Sequence, residues 1–256
     1  MSFYTFLILQ FAAHLLTDYI FQTNDKAQEK NELGFKSPFL KYHVLIAFLT
    51  SWILSFQINF VLVSFVIAVT HGLIDGLKVL LTKNEKANRY AFFIDQIAHL
   101  VIIIVTVKIF TEYRSIDPLI SFNGHEHLIL LSTLFLVCLK PSNIFVKELF
   151  RAFKVEFKAE AETDDKKPET KTNDLKNAGK LIGILERVLV LTLIISNQFE
   201  AVGFLIAAKS ILRFKEMETG KTEYVLIGTM ASFGIAVAAG ILYTKLIATG
   251  IIPIPT

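Results

Sequence analysis

The chain has 256 residues, of which 53% are apolar and 19% charged, and its mean hydropathy is +0.53. This composition excludes a disordered chain and a disulfide-stapled secreted module. The net charge of +3 is too small to indicate a nucleic-acid partner, and the single cysteine, Cys138, excludes an internal disulfide. The composition is typical of an integral membrane protein with several spans.

Eight apolar runs are candidates to cross the hydrocarbon core, which requires about 20 residues. In chain order they are 3–22, 40–57, 59–82, 90–110, 127–147, 178–197, 200–214 and 224–248. The first run carries His14 and Asp18 and has no basic residue before it, so we interpret it as a retained helix and not a cleaved signal. The seventh run is short, which fits either a tilted span or a re-entrant segment. The sequence predicts an all-α polytopic membrane bundle of about eight transmembrane helices.

One long charged segment divides these runs into two halves. Residues 151–176 contain seven basic and seven acidic residues, a composition that favours a solvated linker. We therefore predict an N-terminal four-helix membrane domain over 1–148, a charged linker over 149–177 and C-terminal membrane helices over 178–256.

The basic residues predict the orientation in the membrane. With the N-terminus outside and eight alternating helices, 19 Lys and Arg residues lie in the inner loops and three lie outside. Without the linker the ratio is still 10 to 3. Because positive charge concentrates on the cytoplasmic side, we predict a multi-pass protein of the bacterial inner membrane with both termini outside and the linker 149–177 cytoplasmic.

Ionisable residues inside the predicted spans form the main functional signal. Four of the six histidines lie there, and three aspartates accompany them: His14, Asp18, His43, His71, Asp75, Asp95 and His99. Three His/Asp pairs are four residues apart, which places both side chains of each pair on one helix face. Counting about 1.5 Å per residue from the cytoplasmic ends places all seven in one layer of the inner leaflet.

Imidazole and carboxylate groups together suit a divalent transition metal such as Zn, Mn or Fe. Seven such groups could hold one ion or two. We predict His14, Asp18, His71, Asp75 and His99 as metal ligands, and Asp95 or His43 as a general base or further ligand. Gln22, Lys78, Gln96 and Arg187 are candidates to orient these ligands or to contact substrate. The alternative interpretation is that the pairs are polar contacts that only hold helices together.

The motifs also resemble a known family. The segments are His14-Leu-Leu-Thr-Asp18 with Gln22 and Lys30, His43, His71-Gly-Leu-Ile-Asp75-Gly-Leu-Lys78, and Asp95-Gln96-Ile-Ala-His99. Over roughly 4–110 the sequence resembles the bacterial membrane family called Domain of Unknown Function 3307. A looser likeness to membrane-bound metal-dependent hydrolases implies hydrolysis.

Three functions follow as hypotheses. The first is a metal-dependent hydrolase that acts, among membrane lipids, on an amphiphilic or anionic substrate. The second is a divalent-cation or proton-coupled transporter, which the repeated His-x-x-x-Asp motif at His14 and His71 favours. The third is a non-enzymatic anchor or sensor whose linker binds a soluble protein.

Overall fold

The computed structural model describes residues 1–122, 124–155, 178–214 and 219–253. The regular secondary structure of these residues is entirely helical, which confirms the predicted all-α class. The α-helices are α1 (Phe3–Leu15), α2 (Asn24–Leu33), α3 (Pro38–Ser55), α4 (Val61–Thr82), α5 (Glu85–Tyr113), α6 (Glu126–Cys138), α7 (Lys140–Phe153), α8 (Ala178–Ile195), α9 (Phe199–Phe214) and α10 (Thr219–Ala248).

Five stretches of the described chain are long and apolar enough to cross a membrane. They are Phe3–Ile20, Pro38–Ser55, Ile58–Thr82, Glu85–Tyr113 and Glu223–Ala248. The pair α6 and α7 adds a sixth if its two bent halves are one span. These helices indicate a membrane protein, as the composition predicts.

The predicted number of eight spans is not confirmed. The fifth predicted run is not one straight helix, because α6 ends at Cys138 and α7 turns away by 45°. Pro141 lies in the first turn of α7, where its ring is tolerated. The helix α8 carries Lys180, Glu186 and Arg187, and α9 has 16 residues, about 24 Å of helix against about 30 Å of hydrocarbon.

The chain forms two compact units. The first comprises residues 1–141 and 242–256, and the second comprises residues 142–241. The first five residues of the predicted linker belong to α7, and its residues 156–177 lie outside the described residues.

Local sequence signals explain the helix boundaries of the first unit. The hydroxyl of Ser2 accepts a hydrogen bond from the backbone N–H of Thr5, and Thr23 does the same for Lys26. Pro38 opens α3 and the amide oxygen of Asn84 caps α5. The helix α1 continues as a π-helix over Leu16–Ile20, and its backbone carries Asp18.

The helix α4 is central to the first unit and packs against both α3 and α5, while α1 packs against α3, α5 and α6. Gly72 allows the close approach of α3, since a Cβ atom there would lie 2.4 Å from Cγ2 of Val44. This packing brings the histidines of α1, α3, α4 and α5 into the same interior region of the first unit.

The short helix α2 differs from its neighbours because it is polar and mostly exposed, with Lys30 as its one buried residue. It ends at Gly34, whose φ of 54° and ψ of −126° suit glycine. On its outer face, hydrogen bonds from Lys26 and Ser37 hold the pKa of the Glu29 carboxyl below its usual value. The side chain of Lys30 is therefore directed into the first unit, while the rest of α2 is exposed or half-buried.

Candidate metal centre

The seven His and Asp residues predicted from the sequence come together in one buried cluster. Each is at most 9% exposed, and together they come from the π-helix and the helices α1, α3, α4 and α5. Three overlapping groups within the cluster have ligand atoms that lie within 4.8 Å of one another. The groups are His14, Asp18 and His71; His43, His71 and Asp75; and Asp75, Asp95 and His99.

The tightest part of the cluster contains four ligand atoms. Nε2 of His43 lies 2.9 Å from Nε2 of His71, 3.3 Å from Oδ1 of Asp18 and 3.2 Å from Oδ2 of Asp75. Nε2 of His71 lies 3.1 Å from the same oxygen of Asp18 and 3.4 Å from that of Asp75. Ligands at about 2.0–2.2 Å from a tetrahedral zinc ion are separated by about 3.3–3.6 Å. The four atoms are placed so that each ring nitrogen lies at about such a distance from both carboxylate oxygens. We call them the four-atom cage.

Hydrogen bonds alone do not account for the four-atom cage. A neutral imidazole offers at Nε2 either one proton or one lone pair, yet each Nε2 atom here has three close polar neighbours. Within the described part of the chain, Oδ1 of Asp18 has no hydrogen-bond partner of suitable geometry, although two ring nitrogens lie within 3.3 Å of it. A buried carboxylate oxygen without a hydrogen bond is costly, and a cation among the four atoms would satisfy them all.

A second group of ligand atoms adjoins the cage through Asp75. Its other oxygen, Oδ1, lies 3.8 Å from Nε2 of His99, which in turn lies 3.7 Å from Oδ1 of Asp95. Among the described residues, neither that nitrogen nor that oxygen of Asp95 has a hydrogen-bond partner. The carboxylate of Asp75 is therefore placed to bridge two ions, one in the cage and one beside His99.

Gln96 connects the two carboxylates that lie on either side of Asp75. Its amide nitrogen donates to Oδ2 of Asp18 at 3.3 Å and to Oδ2 of Asp95 at 3.1 Å. Its carbonyl oxygen accepts from the hydroxyl of Tyr19 at 2.9 Å and lies 3.2 Å from Nε2 of His14. These hydrogen bonds orient both carboxylates. They also place His14, 3.9 Å from Asp18, at the edge of the cluster.

Two lysines pair with the cluster. Nζ of Lys30 lies 2.6 Å from Oδ2 of Asp75, the oxygen that belongs to the cage, and Lys30 is 3% exposed. Nζ of Lys78 lies 3.1 Å from Oδ2 of Asp95. With neutral imidazoles, three aspartates and two lysines leave one negative charge in a region of low dielectric, where a cation is favoured.

The other two predicted site residues lie at different places. The side-chain amide of Gln22 donates to the backbone carbonyl of Asp18 at 3.4 Å, so it supports the π-helix. Arg187 belongs to the second unit, where it is 2% exposed and donates to Ser232 and to Asn143, each at 2.8 Å. In the same unit Lys209 pairs with Glu186 and stacks over Phe233.

A row of polar side chains extends from the His/Asp cluster further through the interior of the first unit. A cavity of about 10 Å³ lies beside His14 and His71, about the room that one water molecule needs. Two of its lining residues, Gln10 and Ser51, exchange hydrogen bonds at 3.0 and 2.7 Å, and the hydroxyl oxygens of Ser51 and Ser64 lie 3.2 Å apart, within hydrogen-bonding distance. We call Gln10, Ser51 and Ser64 the polar row.

Two other residues that line this cavity, Ile67 and Ile103, also belong to a cluster of phenylalanine rings. Phe6, Phe60 and Phe110 are each at most 5% exposed. Their ring centroids are 4.9 Å apart for two of the pairs and 5.8 Å for the third. Ile67, Ile103 and Val107 complete this phenylalanine cluster. The described interior of the first unit is therefore charged at one level and aromatic at another.

Residue spacing did not predict Lys30, Tyr19 or the polar row as site residues. A signal for the polar row was present, because Gln10 is one helical turn before His14 and Ser51 is two turns after His43. Lys30 lies in a segment with no apolar periodicity, so no helix face could be assigned to it. The signal that could have indicated Lys30 was its position among the family motifs, after Gln22 and before His43.

The fold and site define a helical membrane protein with a buried His/Asp cluster. Residues 6–129 match the model of a family described as a protein of unknown function (DUF3307), which confirms the resemblance predicted from the motifs. This region contains all seven residues of the cluster together with Lys30, Lys78 and Gln96, whereas Arg187 lies beyond it. Comparisons with curated proteins and with solved structures give no significant match.

Proposed function

We propose that the chain is a metal-dependent membrane hydrolase whose metal centre is the four-atom cage. The observation that carries this proposal is that the Nε2 atoms of His43 and His71 lie 2.9 Å apart, and that each of them lies 3.1–3.4 Å from one carboxylate oxygen of Asp18 and one of Asp75. A mixed His/Asp ligand set suits zinc, manganese or iron, and such an ion activates water and polarises a substrate oxygen.

The residues around the cage have roles that follow from their contacts. His99 lies beside Asp95 with its Nε2 atom free of hydrogen bonds among the described residues, so it can accept a proton or hold a second ion. Gln96 fixes Asp18 and Asp95, and Tyr19 fixes Gln96. The small cavity beside His14 and His71 supplies room for the water that a hydrolysis consumes.

Metal analysis tests the centre directly. The purified protein is expected to hold one or two transition-metal ions per chain. The double variant His43→Ala/His71→Ala removes both nitrogens of the cage and should lose them. His125→Ala is the matched control, since it removes an exposed imidazole outside the cluster. Equal metal content in the wild type and the double variant would contradict the proposal.

Hydrolysis is tested with the zinc-loaded protein in vesicles of phosphatidylcholine and phosphatidic acid. Water would add across the phosphate ester bond, and inorganic phosphate and diacylglycerol would be released. We expect release by the wild type and by His125→Ala, and none by His43→Ala/His71→Ala. Phosphate release that is equal in all three proteins would exclude the cage as its source.

A divalent-cation or proton-coupled transporter is the second candidate, and the polar row favours it. Hydrogen-bonded side chains inside a membrane bundle mark ion and proton pathways. Zinc uptake into sealed proteoliposomes that is lost in Ser51→Ala but retained in Thr106→Ala would favour the transporter instead.

We also propose that the protein lies in the bacterial inner membrane with eight spans, both termini outside and the linker 149–177 in the cytoplasm. The distribution of basic residues supports this topology, with α8 and α9 as two further membrane helices. A cysteine placed at Asp165 should be shielded from an impermeant reagent in intact cells. Labelling of that cysteine would show that the linker lies outside and would contradict this topology.

A further inference from the structure

We infer that metal binding turns Lys30 into the receptor for a phosphate-type anion beside the four-atom cage. This inference rests on the proposed metal centre and names the class of ligand that the centre would take. The observation behind it is that one atom, Oδ2 of Asp75, serves two groups. It accepts from Nζ of Lys30 at 2.6 Å and also lies 3.2 Å from Nε2 of His43, within the cage.

The Lys30 ammonium and an ion in the cage compete for that oxygen. A divalent ion bound there would draw the charge of Asp75 and would repel the ammonium beside it. Lys30 is 3% exposed, so it has no access to water that could replace its lost partner. A buried cation without a counter-ion is strongly unfavourable.

The charge of the whole cluster points the same way. Asp18, Asp75 and Asp95 carry three negative charges, and Lys30 and Lys78 carry two positive ones. With neutral imidazoles the cluster has a charge of −1 without metal, and one divalent ion changes the charge to +1. An anion would then neutralise the site, and a second ion beside His99 would strengthen this requirement.

The position of Lys30 determines where the anion would lie. Lys30 is the one buried residue of α2, a polar helix whose other side chains face outwards or are half-buried. An anion held by Lys30 therefore lies between the cage and the polar surface of α2. A tetrahedral oxyanion suits this place, because its oxygens can accept from an ammonium while another oxygen faces a divalent ion. Inorganic phosphate and the headgroup of a phosphomonoester lipid share this chemistry.

Cobalt(II) gives a readout that does not depend on catalysis. The protein is loaded with cobalt in detergent, its bound metal is measured, and its visible spectrum is recorded during a titration with inorganic phosphate. The wild type should show a saturable spectral change. Lys30→Met should retain cobalt but bind phosphate at least about tenfold more weakly, since it removes one partner of a buried charge pair.

Two further variants serve as controls. Lys30→Arg keeps the charge and should keep most of the phosphate affinity. Lys26→Met removes an exposed lysine of the same helix, paired with Glu29, and should behave as the wild type. A second titration with phosphatidic acid, with phosphatidylcholine as the blank, identifies the source of the anion. Tighter binding of phosphatidic acid indicates a lipid headgroup, and tighter binding of phosphate indicates the free ion.

The outcomes separate this inference from the proposed function. Cobalt bound with no spectral response to phosphate or phosphatidic acid would overturn the inference and leave the metal centre intact. Phosphate binding by Lys30→Met at wild-type strength would also overturn it. A wild type that binds no cobalt would overturn the metal centre and the inference together.

Discussion

The His/Asp cluster and the phenylalanine cluster occupy different levels of the same helices and are held together differently. The helix α1 carries Phe6 at one level and His14 two turns later, and α5 carries His99 three turns before Phe110. The aromatic level is stabilised by many small contacts, each ring pair adding about 0.5–1.5 kcal/mol. The charged level depends on a few specific partners, and the loss of one leaves another charge buried. A substitution at the aromatic level therefore removes packing contacts, whereas a substitution at the charged level also leaves a buried charge without its partner.

The largest expected effect is at Asp75, which contacts Lys30 at 2.6 Å and is 2% exposed. Asp75→Leu should lower the free energy of unfolding by about 3–5 kcal/mol, because Lys30 is left as a buried unpaired charge. The double variant Asp75→Leu/Lys30→Met should recover much of this loss. Unfolding titrations in mixed micelles measure both, and a double variant as unstable as the single one would contradict the pairing.

Asp75→Asn separates stability from metal binding at the same position. The amide keeps the size and can still accept a hydrogen bond, so the cost to stability should be smaller than that of Asp75→Leu. Metal affinity should fall strongly, since a neutral amide is a poor ligand for zinc or manganese. If Asp75 only holds helices together, Asp75→Asn will retain its full metal content.

The aromatic level should respond in stability alone. Phe60 is 0% exposed, and Phe60→Ala leaves a void among Phe6 and Phe110 that should cost about 3 kcal/mol. Its metal content should equal that of the wild type. Phe65→Ala is the matched control, because Phe65 is 59% exposed and should change stability by less than about 0.5 kcal/mol. Loss of metal in Phe60→Ala would show that the two levels are not independent.

A smaller effect is expected where α2 joins α4. At Gly34 a Cβ atom would lie 2.8 Å from the backbone oxygen of Gly76, and its φ of 54° is strained for other residues. Gly34→Ala should cost about 1–3 kcal/mol and loosen α2, which faster hydrogen exchange of the α2 amides would reveal. Gly203→Ala meets no atom within 4 Å and should leave α2 unchanged. If the hydrogen exchange of the α2 amides is unchanged in Gly34→Ala, α2 accommodates the added methyl group without losing stability.

The smallest effect is expected in the polar row. Ser51→Ala removes hydrogen bonds to Gln10 and Ser64, and such bonds between membrane helices contribute about 0.6 kcal/mol on average. Thr106→Ala is the control, because its hydroxyl bonds only to carbonyls of its own helix in the described contacts. If Ser51→Ala lowers the free energy of unfolding by more than about 2 kcal/mol, the stability of the polar row depends on the buried charges of the His/Asp cluster.

The sequence predicted the cluster better than it predicted the number of spans. Charged and imidazole groups are rare in apolar runs and must find partners there, so spacing and depth were enough to bring His71, Asp75 and His99 together. The span count depends on weaker signals. The break after Cys138 needs the local geometry of Leu139, and the charges in α8 and the length of α9 leave both near the limit of a span.

The detailed geometry of the cluster could not be predicted from spacing. Spacing alone ranked His14 among the ligands and left His43 as a base or further ligand, whereas the structure places His43 in the cage and His14 at its edge. The pairing between Lys30 and Asp75 joins residues 45 positions apart, and only the packing of α2 on α4 brings them together. Contacts between helices depend on rotation about each helix axis, which a periodic pattern does not fix to within one side chain.

The π-helix Leu16–Ile20 makes the position of Asp18 depend on the number of residues before it as well as on their identity. Its wider turn, closed by the bond from the N–H of Phe21 to the carbonyl of Leu16 at 2.9 Å, holds one residue more than an α-turn would. Deletion of Leu16 would let an α-turn close the same span, so the residues after Phe21 would keep their direction while Asp18 would lose its place in the wider turn. We therefore expect this deletion to be more harmful than most substitutions of the neighbouring Ile20, which is 44% exposed.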